Sequence, residues 1–395
     1  MNVFYDSNYI SNIYNSKYNN IYFIMFDRPN LENLEAKPIK NVGKYHVSQL
    51  SDYTNTIILD PNLLKEKYPI INSYRPILST GLDSNIVGRL SKKFDLNNDD
   101  DKKFIKYLTD LKKYRNNIDC NPYLIENILI DSEDEHVLKS IIPFTGFKNT
   151  SYSDMINFKK NIDKNESKKI LSLFDEGKKN MKVSEYYWIM YIILLLATSE
   201  LLFDHKSIVK KMKFILDFIA SEKLPYLEAE LYYAYLIIDR KNHKEIQLFA
   251  KPLQLGSNLI NIKKRLRGMA RDISLIKYEV LYMSDQSNPS KHKFILREIA
   301  TQDQGLNNLL KLNPINAIAI VDNGNGNHEY RLKYKYNIWE ELNSKKNGLG
   351  IEMMKKFQKN RGVPDFNNLD RIKQIALNLE SIVFDSLNNF KNIKR

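Results

Sequence analysis

Three aspartates sit where a carboxylate could do chemistry. The stretch "ATQDQGL" places Asp303 just past the apolar, strand-like run "ILREIA" and ahead of a leucine-bearing helix, with Gly305 two residues on. "GLDSN" places Asp83 after another strand-like run and directly before a helix, and "MARDISLIKYE" sets Asp272 within a long helix whose opposite side is apolar. In parallel α/β sheets, side chains at strand C-termini converge on a crevice outside the sheet. The spacing therefore predicts that Asp83 and Asp303 share such a crevice and that Asp272 faces them from a neighbouring helix. Carboxylates gathered this way repel one another unless a divalent cation neutralises them, and oxygen-only ligation suits Mg²⁺ or Mn²⁺. A cation of this kind acidifies water and stabilises charge on a phosphate in flight. The chemistry expected is metal-dependent hydrolysis of phosphodiester bonds.

The same residues carry a family resemblance. Asp83-Ser84-Asn85 with Ile86 resembles the "D-[ST]-N-[IV]" opening of PIN-domain nucleases, and "ATQDQGLNNLL" resembles their late "T-x-D-x-x-L" element. "MARDISLI" is similar to the helix that supplies an intervening aspartate in that family. The resemblance implies an α/β fold with a PIN-like parallel-sheet core flanked by helices. It also implies a set of acidic residues holding Mg²⁺ or Mn²⁺, and cleavage of RNA before DNA. Carried over position by position, Asp83, Asp272 and Asp303 match, and Glu126 in "YLIENIL" stands for the acidic residue of an early helix. A regulatory, antitoxin-like protein partner is compatible with that family. The chain departs from the minimal pattern in the long segment ahead of Asp83 and in the long helical stretch before Asp272.

Each residue also has an ordinary explanation. Aspartate before a helix is a good N-cap, which accounts for Asp83 and Asp303 without any metal. Asp272 occupies a mid-helix position that aspartate disfavours, where a solvent-facing pair with Lys or Arg would explain it. Glu126 reads equally as a solvated helix residue. Asp322, ending the apolar run "INAIAIVD", is either an extra ligand or a turn former. The basic runs "KKRLR" and "VKKMK" supply Lys264 and Arg267 as residues that could position a phosphate backbone; such runs are also the wet faces of helices.

Positioning these groups falls to strands separated by helices, hence an α/β class. Three regions are expected: an N-terminal α/β extension over residues 1–75, a nuclease core over 76–325 and a helical C-terminal extension over 326–395. The core is interrupted by a large all-α insertion at about 130–255, where amphipathic runs follow one another. "INAIAIVD", apolar on both faces, predicts a central parallel strand, and "DNGNGNHEY" predicts a polar hairpin or loop. The acidic run "DLNNDDDKK" lacks the glycine and glutamate of a calcium loop and predicts a helix start instead. The apolar run Tyr187–Ala197 is shorter than the roughly twenty residues a bilayer span needs and predicts a buried central helix. Tyrosines and a tryptophan nearby sit among aliphatic residues, which favours core packing over base stacking.

Composition narrows the classes further. Over 395 residues the formal net charge is +13, which favours polyanionic partners such as nucleic acid. A single cysteine, Cys120, excludes an internal disulfide framework and any multi-cysteine metal site. It points to a reducing, cytoplasmic compartment. The opening "MNVFYDSNYISN" has neither a basic leader nor an apolar run, so no signal peptide is expected and no membrane partner. The six histidines show no ligand spacing, and no phosphate-binding glycine loop or serine-hydrolase elbow is present. The alternative to the nuclease is a non-catalytic, basic helical module for nucleic-acid binding or protein interaction. Geometry separates the two: hydrolysis requires the carboxylates to meet.

Overall fold

β-Branched and aromatic runs are drawn into strands and the long apolar periodicities into helices, in an order that alternates only around the candidate aspartates. The computed structural model describes residues 20–25, 41–50, 57–59, 77–115, 117–179, 181–202, 206–225, 227–242, 258–287, 295–312, 315–322, 328–345, 348–361 and 368–393. Strands β1 (Asn20–Met25), β2 (His46–Gln49), β3 (Ile57–Leu59) and β4 (Ile77–Leu82) precede α1 (Ser84–Leu90) and α2 (Asp99–Tyr114). Next come β5 (Asn117–Asp119), α3 (Asn121–Leu129), α4 (Asp134–Asn149), a 3₁₀ segment Tyr152–Asn161 and α5 (Lys164–Lys179). The helices α6 (Met181–Glu200), α7 (Ile208–Ser221), α8 (Glu228–Ile238) and α9 (Leu259–Gln286) follow. The chain continues through β6 (Ile295–Thr301), α10 (Gln304–Leu312), β7 (Ile315–Asp322), β8 (His328–Tyr334), α11 (Ile338–Lys345), α12 (Leu349–Arg361) and α13 (Leu369–Ile393).

The strands form two four-stranded sheets, ordered β2-β6-β4-β5 and β3-β1-β7-β8. In the first, β4 runs parallel to both β5 and β6, whereas β2 lies antiparallel on β6. The α/β class is thus present as a mixed arrangement, small sheets flanked by helices, with a large helical insertion between β5 and β6. The parallel register pairs Leu82 with Ala300, so β4 and β6 end side by side.

Two expectations need correcting. The apolar run Ile315–Asp322 is central, but in the second sheet, and it pairs antiparallel with β1 and β8. Apolar character on both faces reports a strand with neighbours on both edges; it carries no information about direction. The sheet beside the aspartates is also mixed, because the N-terminal segment supplies β2 to its edge. That segment contributes strands to both sheets, and its residues other than 20–25, 41–50 and 57–59 lie outside those described. The stretch 323–327 of the polar "DNGNGNHEY" also lies outside them, between two strands that pair as a hairpin.

Core packing separates into two apolar clusters. One gathers α6, α7, α8 and α9, including Leu194, Ile215, Leu231 and Leu266; the other gathers α1 to α5, including Ile86, Leu108, Ile141 and Phe174. Strand β6 runs between them, giving Leu296 and Ile299 to the first and Ala300 to the second. The α6 segment is buried almost throughout, as its length and apolarity require, and no described helix is long and apolar enough to cross a membrane. Tyr191 and Tyr235 are fully buried within this core, so these aromatics pack rather than stack on a ligand.

Candidate functional site

The site begins where β4 and β6 finish. Asp83 extends the ladder by one bond, its backbone N–H donating to Ala300 O at 3.0 Å. Its side chain turns to cap α1, Oδ1 accepting from Ser84 N at 2.6 Å. Oδ2 accepts from Thr301 Oγ1 at 2.6 Å and from Asn85 Nδ2 at 3.1 Å. Thr301 in turn accepts from the Asp303 N–H at 2.9 Å, so one hydroxyl ties the two aspartates together. Asp303 caps α10, its Oδ1 accepting from Gly305 N at 2.6 Å and Leu306 N at 3.3 Å. The ordinary explanation is therefore correct for both residues: they are N-caps. Capping satisfies orphan helix N–H groups, and it also fixes the carboxylates at the crevice mouth.

Two more carboxylates reach the same place from other elements. Helix α3 packs on β4 and on α1, and brings Glu126; helix α9 packs on β6, α3 and α10, and brings Asp272. Burial pushes the Glu126 carboxyl up to about 8, and the Asp83 and Asp303 charges push in the same direction against the opposing pull of Arg271. The Asp272 carboxyl is raised well above the usual range, by burial first and then by Asp303, Glu126 and Asp83. The carboxyl of Asp83, a residue only 3 % exposed, is raised by burial despite the hydrogen bonds it accepts from Thr301, Asn85 and Ser84, with Asp303 adding to the effect. Each of these shifts has the same physical origin: a charge removed from water and set among like charges. Asp272 is half-buried, and Asp303, Glu126 and Asp83 act on it more strongly than the opposing Arg271, so a simple solvent-facing pair with Lys or Arg does not describe it.

One atom lacks a partner. Glu126 Oε2 is buried with no hydrogen-bond donor to accept from. The acidic neighbour that acts on it most strongly is Asp83, and two carboxyls can bond only with a proton held between them. Unsatisfied buried carboxylate oxygen is costly, and a hard cation or a proton is what satisfies it. The donors are all oxygen, which suits Mg²⁺ or Mn²⁺ and not a soft metal. As they stand, however, no group of three or more His, Cys, Asp or Glu among the described residues is arranged to hold a metal ion. Charge–charge influence reaches farther than a coordination bond, so the four are electrostatic neighbours without being a closed ligand set.

Below this mouth lies an ionic layer that the sequence reading missed. Arg297, fully buried on β6, donates from its Nε to Glu279 on α9 and from Nη2 to Asp119 at 2.7 Å. Its neighbour Glu298 accepts from Arg115 Nη2 at 2.9 Å and from Thr80 Oγ1 at 3.1 Å. Glu279 lies two helical turns after Asp272, on the same face of α9, so the Arg297 bond pins the helix that carries Asp272. The signal was visible as "RE" inside an otherwise apolar strand; the partners were not.

The remaining candidates sit elsewhere. Arg267 pairs with Glu380 on α13 at 2.9 Å and lies over the Tyr191 ring, and Lys264 is exposed nearly one turn earlier on the same helix. Arg267 is thus engaged in fixing α13 to α9. Burial pushes the Cys120 thiol far up, which excludes it as a nucleophile. The Asp322 side chain lies outside the described residues. A cleft of about 490 Å³ opens beside the acidic group, with Ser84 and Glu126 among its walls. Compared with known proteins, the chain matches no family model, no curated protein and no solved structure.

Proposed function

We propose that the protein is a divalent-cation-dependent hydrolase of phosphodiester bonds, a PIN-like nuclease acting on nucleic acid, RNA before DNA. One observation carries this reading: Asp83, Glu126, Asp272 and Asp303 come from four separate elements to within electrostatic reach of one another, beside the ends of two parallel strands. A core that merely needed helix caps would have no use for Asp272 and Glu126 there. Burying them together lowers stability, and such cost is retained where chemistry requires it. The three parallel strands β6-β4-β5 and the chain order of the acidic residues support the PIN-like form of the reading.

In this reading Asp83, Glu126, Asp272 and Asp303 would hold Mg²⁺ or Mn²⁺. When bound there, such a cation would supply Lewis acidity and a more acidic water. Asp83 is held rigid by Thr301 and Asn85, so its carboxylate is pre-oriented and loses little freedom on ligation. In the free chain burial and the Asp83 charge push the Glu126 carboxyl up to about 8, so it would give up its proton on becoming a ligand. The surplus of positive charge, +13 over the whole chain, draws a polyanionic substrate toward the protein. The experiment is Asp303→Asn assayed on RNA and DNA with Mn²⁺, Mg²⁺ or EDTA. Asparagine keeps the cap, so the fold is expected to survive while cation-supported cleavage is lost. Unchanged cleavage, or none from the wild type with any cation, refutes the assignment and leaves the non-catalytic binding module.

A further inference from the structure

The cleft beside the acidic group lies between α1, α3 and α4, and its walls differ in character. Ser84, next to Asp83, and Glu126 line it, and Lys92, His136 and Lys139 add basic groups to the same lining. Its volume, about 490 Å³, falls in the roughly 300–1,000 Å³ range of small-ligand sites, enough for one nucleotide unit and too small for a duplex. Lys92 follows the C-terminal end of α1, and its carbonyl is held by Lys159 Nζ. Lys139 currently pairs with Glu135 on its own helix at 2.9 Å, both side chains well over half exposed. An exposed pair of that kind holds weakly and exchanges readily.

We infer that this cleft is the docking groove for the strand, seating one unpaired nucleotide next to the scissile phosphodiester with Lys92 and Lys139 on its flanking phosphates. The inference rests on the hydrolase reading for its meaning and deepens it by naming single-stranded nucleic acid as the substrate class. Three features argue for it. Lys92 and Lys139 line the same cavity as Glu126, so phosphates seated on the lysines hold a strand beside the acidic group. Ile130, half exposed, also lines the groove and offers an apolar surface to a base. Gly88 on α1 contributes no side chain there, and a Cβ added to it would meet nothing within 4 Å, which leaves the groove open.

Binding is measured by fluorescence anisotropy of a labelled single-stranded oligoribonucleotide and its duplex, in EDTA, so that the result does not depend on cleavage. Lys92→Ala combined with Lys139→Ala is expected to weaken single-strand binding about tenfold. It should also lower the slope of log affinity against log salt by about 1.4, two contacts at about 0.7 each. Gly88→Phe fills the groove without altering charge and is expected to weaken binding as well. The control is Lys355→Ala with Lys356→Ala, exposed residues on α12, which packs chiefly against α7 and α11. It makes the same change in net charge and should leave the slope unchanged. Equal losses in cleft and control variants, no loss in either cleft variant, preference for the duplex, or no wild-type binding would each overturn the inference. Loss of cleavage in Asp303→Asn with these binding outcomes absent would leave the hydrolase reading standing and remove only the groove.

Discussion

Replacing Glu126 by glutamine removes a charge that the folded chain holds at a cost, and the size of that cost can be worked out. Its carboxyl moves from an ordinary 4.5 to about 8 on folding. A folded-state pKa above the unfolded value means that the native protein binds the proton more tightly. The associated stability is complete below pH 4.5 and drains away as pH rises to about 8. At about 1.36 kcal/mol per pH unit, the full interval would be worth on the order of 5 kcal/mol. Part of it belongs to the pair with Asp83, which titrates jointly; about 2 kcal/mol is a sounder figure for Glu126 alone. Glu126→Gln should therefore be more stable than wild type at pH 8.5 in EDTA, by a Tm rise of roughly 2–4 °C. The difference should vanish near pH 4.5. Thermal melts across that pH range read both. A difference that does not vary with pH, or a glutamine variant less stable at pH 8.5, refutes the argument that Glu126 is a strained member of an acidic cluster.

Three further outcomes follow from the same geometry. Thr301→Val removes the hydroxyl shared by Asp83 Oδ2 and the Asp303 N–H, and urea melts should show a loss of about 1–3 kcal/mol. Arg297→Met strands Glu279 and Asp119 without their cation, and should cost about 3–5 kcal/mol in the same assay. In Glu126→Gln, saturating Mn²⁺ should raise Tm less than in wild type, since binding to the native state alone stabilises by mass action; an equal rise in both would exclude Glu126 as a ligand.

The sequence made the ends of the site legible and left its foundations hidden. Asp83 and Asp303 stand out because strand–turn–helix grammar is local, and a cap is visible from its own neighbours. Asp272 stood out as a residue its helix would not choose. Glu126 had no local mark at all: on an amphipathic helix a glutamate looks the same whether it meets water or Asp83, and only the family resemblance drew attention to it. Long-range pairing was the harder part. Arg297 and Glu298 interrupt an apolar strand conspicuously, yet their partners Glu279, Asp119 and Arg115 lie on other elements. Nothing local says which carboxylate meets which guanidinium. Strand direction failed for a similar reason. Ile315–Asp322 has the composition of any strand with two neighbours, and whether those run parallel depends on β1 and β8, far from it in sequence or across a turn. The edge strand β2 was invisible as a member of the site sheet because four residues carry too little pattern to choose between two sheets.

Titration of the protein with Mn²⁺ by calorimetry, in two buffers of different ionisation enthalpy at pH 7, bears most directly on the account. It predicts a saturable site that releases protons as it fills, because the Glu126 carboxyl, pushed up to about 8, must give its proton up, and a site lost in Asp272→Asn and in Asp303→Asn. Absence of saturable binding, or binding that neither substitution disturbs, would contradict it.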